Sequence, residues 1–137
     1  MEKIERERLN FEEPRSWKEL REWAESEKIP LIRRETGRFL YKALRACQPR
    51  KVLEIGSGSG YSTLWMNQAI QDKGLRSSIL SMERDNNRFL HCEQYFSGYS
   101  NIELVKIDAL RAFQKDKAAQ KWYGYDFVFL DAIKRDY

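Results

Sequence analysis

The chain has 137 residues, 42% hydrophobic and 34% charged, which suits one soluble globular domain and excludes a disordered chain. No apolar run approaches the roughly 20 residues that span a bilayer, and Met1 to Phe11 lacks the apolar core of a secretory signal, so a cytoplasmic protein without membrane contact is expected. The net charge of +4 is too small to argue for nucleic acid, and Cys47 and Cys92 lack metal-like or redox-like spacing and read as reduced, partly buried thiols.

Residues Met1 to Arg15, charged and poor in apolar anchors, read as a flexible arm; the domain is expected over residues 16–137. Ser16 and Glu19 have capping-box spacing, and Trp17 to Lys28 reads as a helix with Trp17, Leu20, Trp23 and Ala24 on one face, closed by Pro30. A second helix runs from about Arg33 to Cys47, with Leu40, Ala43, Leu44 and Cys47 as its apolar face, supported by Phe39. Its Arg34, Arg38, Lys42 and Arg45 form a basic stripe, within a stretch (Lys28 to Lys51) of eight basic residues against the single acid Glu35. Such a stripe is either a solvated face or an attractor of phosphates and acidic substrates.

After Pro49 the pattern alternates strand and helix. Strands are expected at Lys51–Ile55, Ser78–Met82, Ile102–Ile107 and Tyr125–Leu130, the last nearly all apolar, as in a central strand covered on both faces. Helices are expected at Tyr61 to about Gln71, from an Asp85 cap to near Gly98, and at Leu110–Trp122. This order implies βαβ crossovers: an α/β, Rossmann-like parallel sheet with helices on both faces.

Strand, then Gly56-Ser57-Gly58-Ser59-Gly60, then helix, is a nucleotide-binding arrangement, although a glycine-rich turn alone is weak. Four acids strengthen it. Glu54, Glu83, Asp108 and Asp131 all fall at carboxyl ends of expected strands, the edge where open α/β sheets bind ligands. Glu83 sits where a carboxylate accepts bonds from ribose hydroxyls, while Asp108 reads either as a site residue or as a helix cap. The loop spacing is G-x-G-x-G, not the dinucleotide G-x-G-x-x-G. Glu54 beside it repels a pyrophosphate and suits a sulfonium cofactor with an α-amino group. His91 reads as a packing or surface residue.

The run from Val52 to Ser62 resembles motif I of the class I S-adenosylmethionine-dependent methyltransferases. More narrowly, it is similar to the O-methyltransferase family that includes the caffeoyl-CoA and catechol types and the bacterial tRNA hydroxyuridine methyltransferases. Pro30-Leu31-Ile32, Glu83-Arg84-Asp85, Asp108-Ala109 and Asp131 to Tyr137 extend the likeness, which covers about Trp17 to Tyr137. The resemblance implies methyl transfer from S-adenosyl-L-methionine to an oxygen nucleophile. It places Ile32 and Ser62 at the methionine end, and Glu54 with Gly56, Ser57, Gly58 and Gly60 near the amino-acid moiety. It places Glu83 on the ribose, Asp108 and Ala109 at the adenine, and Asp131 on the cofactor and on a divalent metal such as Mg. Lys134 is the implied general base.

Family members continue for roughly half as much again, so about four strands of a seven-strand fold are expected here, with Asp131 as a lone metal ligand. The apolar strand Tyr125–Leu130 then becomes an edge, and a homo-oligomer is expected through it. The implied acceptor is a small hydroxyl compound or tRNA, the basic stripe favouring tRNA. Two alternatives stay open: a truncated cofactor-binding or oligomerising module without activity, and half of an NAD-dependent oxidoreductase.

Overall fold

The computed structural model describes residues 14–114 and 124–131. In chain order these form helices α1 (Arg15–Ser26) and α2 (Arg34–Cys47), strand β1 (Lys51–Ile55), helix α3 (Tyr61–Lys73), strand β2 (Ser78–Glu83), helix α4 (Asn86–Tyr95), strand β3 (Ile102–Lys106), helix α5 (Ala109–Gln114) and strand β4 (Phe127–Leu130). The expected arm up to residue 13, most of the expected helix Leu110–Trp122 and the segment after Asp131 lie outside the described residues. Among the described residues, no helix is long and apolar enough to cross a membrane.

The chain divides into two units, one holding the described residues up to 48 and 59–75, the other the remainder. In the first, α1 begins two residues earlier than the capping-box spacing suggests. Pro14, not Ser16, precedes the helix, and its carbonyl accepts the N–H groups of Trp17 and Lys18 at 2.9 and 3.1 Å. Glu19 accepts from Arg15 Nε at 2.8 Å, so the capping box is not formed and Arg15 belongs to the helix. The helix also stops before Pro30, because Lys28 takes a left-handed φ of 54° and Ile29 N–H closes onto Ala24 at 2.8 Å.

The buried face of α2 is Gly37, Leu40, Tyr41 and Leu44, rotated from the expected one; Phe39 is 69% exposed and Cys47 is exposed. The reason lies in α3. A Cβ on Gly37 would come within 2.6 Å of Trp65 Cδ1, so the missing side chain is what lets the indole lie against α2. Trp65 in turn meets Trp17 edge to face at 5.4 Å and Tyr61 at 6.4 Å, arrangements that favour aromatic packing. Tyr41 donates to Asp72 Oδ2 at 2.7 Å and accepts from Arg45 Nη1 at 2.9 Å. α3 is buried along most of its length and ends at Gly74, φ 68°.

The second unit is a four-stranded parallel sheet in the order β3-β2-β1-β4. Alternation along paired strands sorts their side chains to two faces. Leu53, Ile55, Leu80 and Met82 join Ala112 of α5 in one core cluster. Val52, Glu54, Ile79, Ser81 and Glu83 alternate with them and so share the opposite face. β4 lies at an edge, as expected: β1 is its single partner among the described residues, and Val128 and Leu130 are 55% and 50% exposed. Asp126 secures its start by accepting the backbone N–H groups of Arg50 and Lys51 at 3.0 and 2.9 Å, bonds that hold its carboxyl below its ordinary pKa. After Asp85, which accepts from Arg88 N–H at 3.0 Å as expected for a cap, α4 ends at Tyr95. The expected glycine cap at Gly98 is absent, since Phe96 follows with an ordinary φ of −94°.

Candidate functional site

Parallel strands end with their carboxyl edges together, and the turns leaving β1 and β2 are tied to each other there. Gly56 and Ser57 both donate backbone N–H groups to the Met82 carbonyl, at 2.9 and 3.1 Å. Gly56 and Gly58 take φ values of 92° and 55°, which non-glycine residues rarely adopt, so the loop needs these glycines. Glu83, 6% exposed, spans the two turns: Oε1 accepts from Gly58 N–H and Oε2 from Asp85 N–H, both at 2.9 Å. Glu54, fully buried, accepts from Ser81 Oγ at 2.7 Å.

Cys92 of α4 closes this group by donating its thiol to the Gly58 carbonyl at 3.4 Å. Burial pushes the Cys92 thiol up to about 12; the Glu54 and Glu83 charges add to the rise and the Ser57 hydroxyl opposes it. The thiol is therefore neutral and inert at ordinary pH. Ser57 Oγ, itself buried, makes no hydrogen bond of normal geometry.

The structure thus brings together Glu54, Gly56, Ser57, Gly58 and Glu83 of the expected site. The exit of β3 is fixed beside them, because Ile107 N–H donates to the Glu83 carbonyl at 3.0 Å. Asp108 follows directly and accepts from Leu110 N–H at 3.0 Å, so it caps α5, where Ala109 is the first residue. Asp131 donates its backbone N–H to the Ile55 carbonyl at 2.8 Å, at the end of β4. Its side chain reaches solvent, yet partial desolvation raises its carboxyl above the ordinary value.

Ile32, Gly60 and Ser62 belong to the other unit: Ile32 is half-buried between α1 and α2, Gly60 (φ 90°) precedes α3, and Ser62 is buried in its first turn. Lys134 lies outside the described residues. Two contributors escaped the sequence reading. Ser81 is a polar residue between Leu80 and Met82, opposite Glu54 in register, and that pairing is visible only once the strands are aligned. Cys92 was expected to be a reduced, partly buried thiol; it is fully buried and bonded to the loop at Gly58.

Chemically, the site pairs a fixed glycine loop with two buried carboxylates. An anion here meets negative charge, and the Gly58 N–H is already taken by Glu83, so a pyrophosphate fits poorly. A ligand carrying a cationic group and hydroxyl donors fits well. Among the described residues, no group of three His, Cys, Asp or Glu side chains is placed to hold a metal ion.

A family model described as O-methyltransferase matches residues 7–137. Caffeoyl-CoA O-methyltransferase 1 of Arabidopsis thaliana is 35% identical over 137 residues, covering 91% of this chain and 49% of the relative. Catechol O-methyltransferase of Niastella koreensis is 27% identical over 103 residues, covering 74% of this chain and 45% of the relative. The chain spans about half the length of the curated relatives it matches. Among solved structures, an O-methyltransferase from Bacillus cereus in complex with SAH superposes with a TM-score of 0.76 at 21% identity, over 95% of this chain and 60% of that one. At that identity the likeness carries the Rossmann-like fold alone.

Proposed function

The chain belongs to the O-methyltransferase family, and from that premise we propose that it holds S-adenosylmethionine for methyl transfer to an oxygen nucleophile. The observation that carries this reading is the pair of buried carboxylates, Glu54 and Glu83, flanking the glycine loop. When bound, the cofactor supplies a methyl group on an electrophilic sulfonium, so the protein's main task is alignment.

Glu54, buried beside the loop, is assigned near the ammonium of the amino-acid end, where an acid favours a cation. Glu83 has about four acceptor positions as a carboxylate; Gly58 and Asp85 use two, and the ribose hydroxyls take the rest. The Glu83 bonds also set the loop in place before the ligand arrives. Asp108 and Ala109, which follow Ile107 beside Glu83, are assigned to the adenine, and Asp131 to contact with the cofactor. For Ile32 and Ser62 the assignment to the methionine end rests on resemblance alone, as does the role of Lys134 as general base. Among the described residues Asp131 belongs to no group of three or more His, Cys, Asp or Glu that could hold a metal ion, so no metal-borne step is assigned.

For the acceptor, α2 presents Arg34 and Lys42 to solvent, while Arg38 and Arg45 are half-buried and Arg45 is engaged with Tyr41. The two exposed cations support a phosphate-bearing acceptor such as tRNA over a small catechol. Filter binding to tRNA across a salt series tests this: affinity falls with added salt if phosphates are bound, and a flat response or no binding removes the idea. The exposed Val128 and Leu130 on the β4 edge support self-association; sedimentation showing only monomer at high concentration contradicts it.

The cofactor reading is tested by calorimetric titration with S-adenosylhomocysteine, with NAD as control. Binding of the first and not the second is the expected result, and binding of NAD alone overturns the proposal.

A further inference from the structure

We infer that Ser81 is a positioning residue for the cofactor's amino-acid end, acting through Glu54. This role rests on the cofactor reading proposed above. Glu54 and Ser81 are register partners on adjacent parallel strands, so their side chains leave the sheet on the same face. Both are fully buried, and Ser81 Oγ donates to Glu54 Oε1 at 2.7 Å.

The pair is costly to the sheet. A buried carboxylate loses its hydration, and the neighbouring positions on that face, Val52 and Ile79, are apolar and buried. Apolar residues at 54 and 81 would serve the core at least as well. A strand that keeps an acid and a hydroxyl opposite each other there breaks the local pattern, and such breaks concentrate at functional sites.

The geometry says what the hydroxyl does. The terminal torsion of a glutamate is broad, so a carboxylate in this position needs a donor to hold one orientation. Ser81 supplies it from β2, the strand whose Met82 carbonyl also holds the N–H groups of Gly56 and Ser57. Glu54 and the glycine loop are thereby referenced to the same strand. The adjacent Cys92 thiol stays neutral and adds no competing charge.

The test compares two probes on wild-type protein, Ser81→Ala and Ser81→Thr. S-adenosylhomocysteine carries the amino-acid end; 5′-methylthioadenosine lacks it. Ser81→Ala is expected to weaken S-adenosylhomocysteine about tenfold, the scale of one hydrogen bond to a charged group, and to leave methylthioadenosine unchanged. Ser81→Thr, which keeps the hydroxyl, is expected to restore the difference. Equal loss for both ligands, or no loss for either, overturns the positioning role while leaving the cofactor reading intact. Failure of the wild-type protein to bind S-adenosylhomocysteine overturns that reading and this role with it. Should Ser81→Ala not fold, Ser81→Cys, a weaker donor of similar volume, carries the same ligand comparison.

Discussion

Replacing Glu83 by Gln tests the clamp that joins the two turns. In the native chain its two oxygens each accept one backbone N–H, from Gly58 and from Asp85, at 2.9 Å. The amide keeps one oxygen and turns an NH2 group toward the other N–H, so one of the two donors loses its acceptor. At a site only 6% exposed, water does not readily replace it, and a buried donor without a partner costs about 1–3 kcal/mol. With a urea slope of about 1–3 kcal/mol per molar, the unfolding midpoint of Glu83→Gln falls by roughly 1 M. The same change weakens S-adenosylhomocysteine by about tenfold or more, because hydrogen bonds to a charged acceptor contribute about 1.5–3 kcal/mol. Urea denaturation followed by circular dichroism reads the first effect, and calorimetry the second. An unchanged midpoint together with unchanged affinity refutes the clamp and the ribose assignment together.

Gly37→Ala places a methyl group against the Trp65 indole; overpacking of this kind costs about 1–3 kcal/mol, read as a lower unfolding midpoint by tryptophan fluorescence. Of the two thiols, the exposed Cys47 is expected to react with Ellman's reagent in the native protein. Cys92, buried and raised to about 12, reacts only on unfolding; two rapid equivalents at neutral pH contradict its placement. Asp126 has a folded pKa held below its ordinary 3.8 by the Arg50 and Lys51 N–H groups. Its contribution is present above that ordinary value and is lost as pH falls through the lowered one. Asp126→Asn is therefore expected to flatten the acid side of the stability curve, measured as urea midpoints below about pH 5.

Much of this was legible in the chain because local signals agreed. The apolar run of β1, the glycines after it and the acids at strand ends each follow from backbone geometry, and the structure places Glu54, Glu83, Asp108 and Asp131 at those ends. What was not legible depends on partners distant in sequence. The buried face of α2 turns on Gly37 meeting Trp65, and no periodicity in α2 announces that. Ser16 has the chemistry of a cap, yet Pro14 precedes the helix, which starts two residues earlier. Glu83 read as a ribose ligand, and its bonds to Gly58 and Asp85 emerge only when the two turns are brought together.

The proposed cofactor site is the glycine loop clamped by Glu83. It is tested most directly by following backbone amide resonances during titration with S-adenosylhomocysteine. Saturable shifts are expected at Gly58, Asp85 and Ile107, the amides that bond to Glu83, with the Asp126-bound amides of Arg50 and Lys51 left unmoved. Binding that leaves Gly58 and Asp85 unperturbed contradicts it.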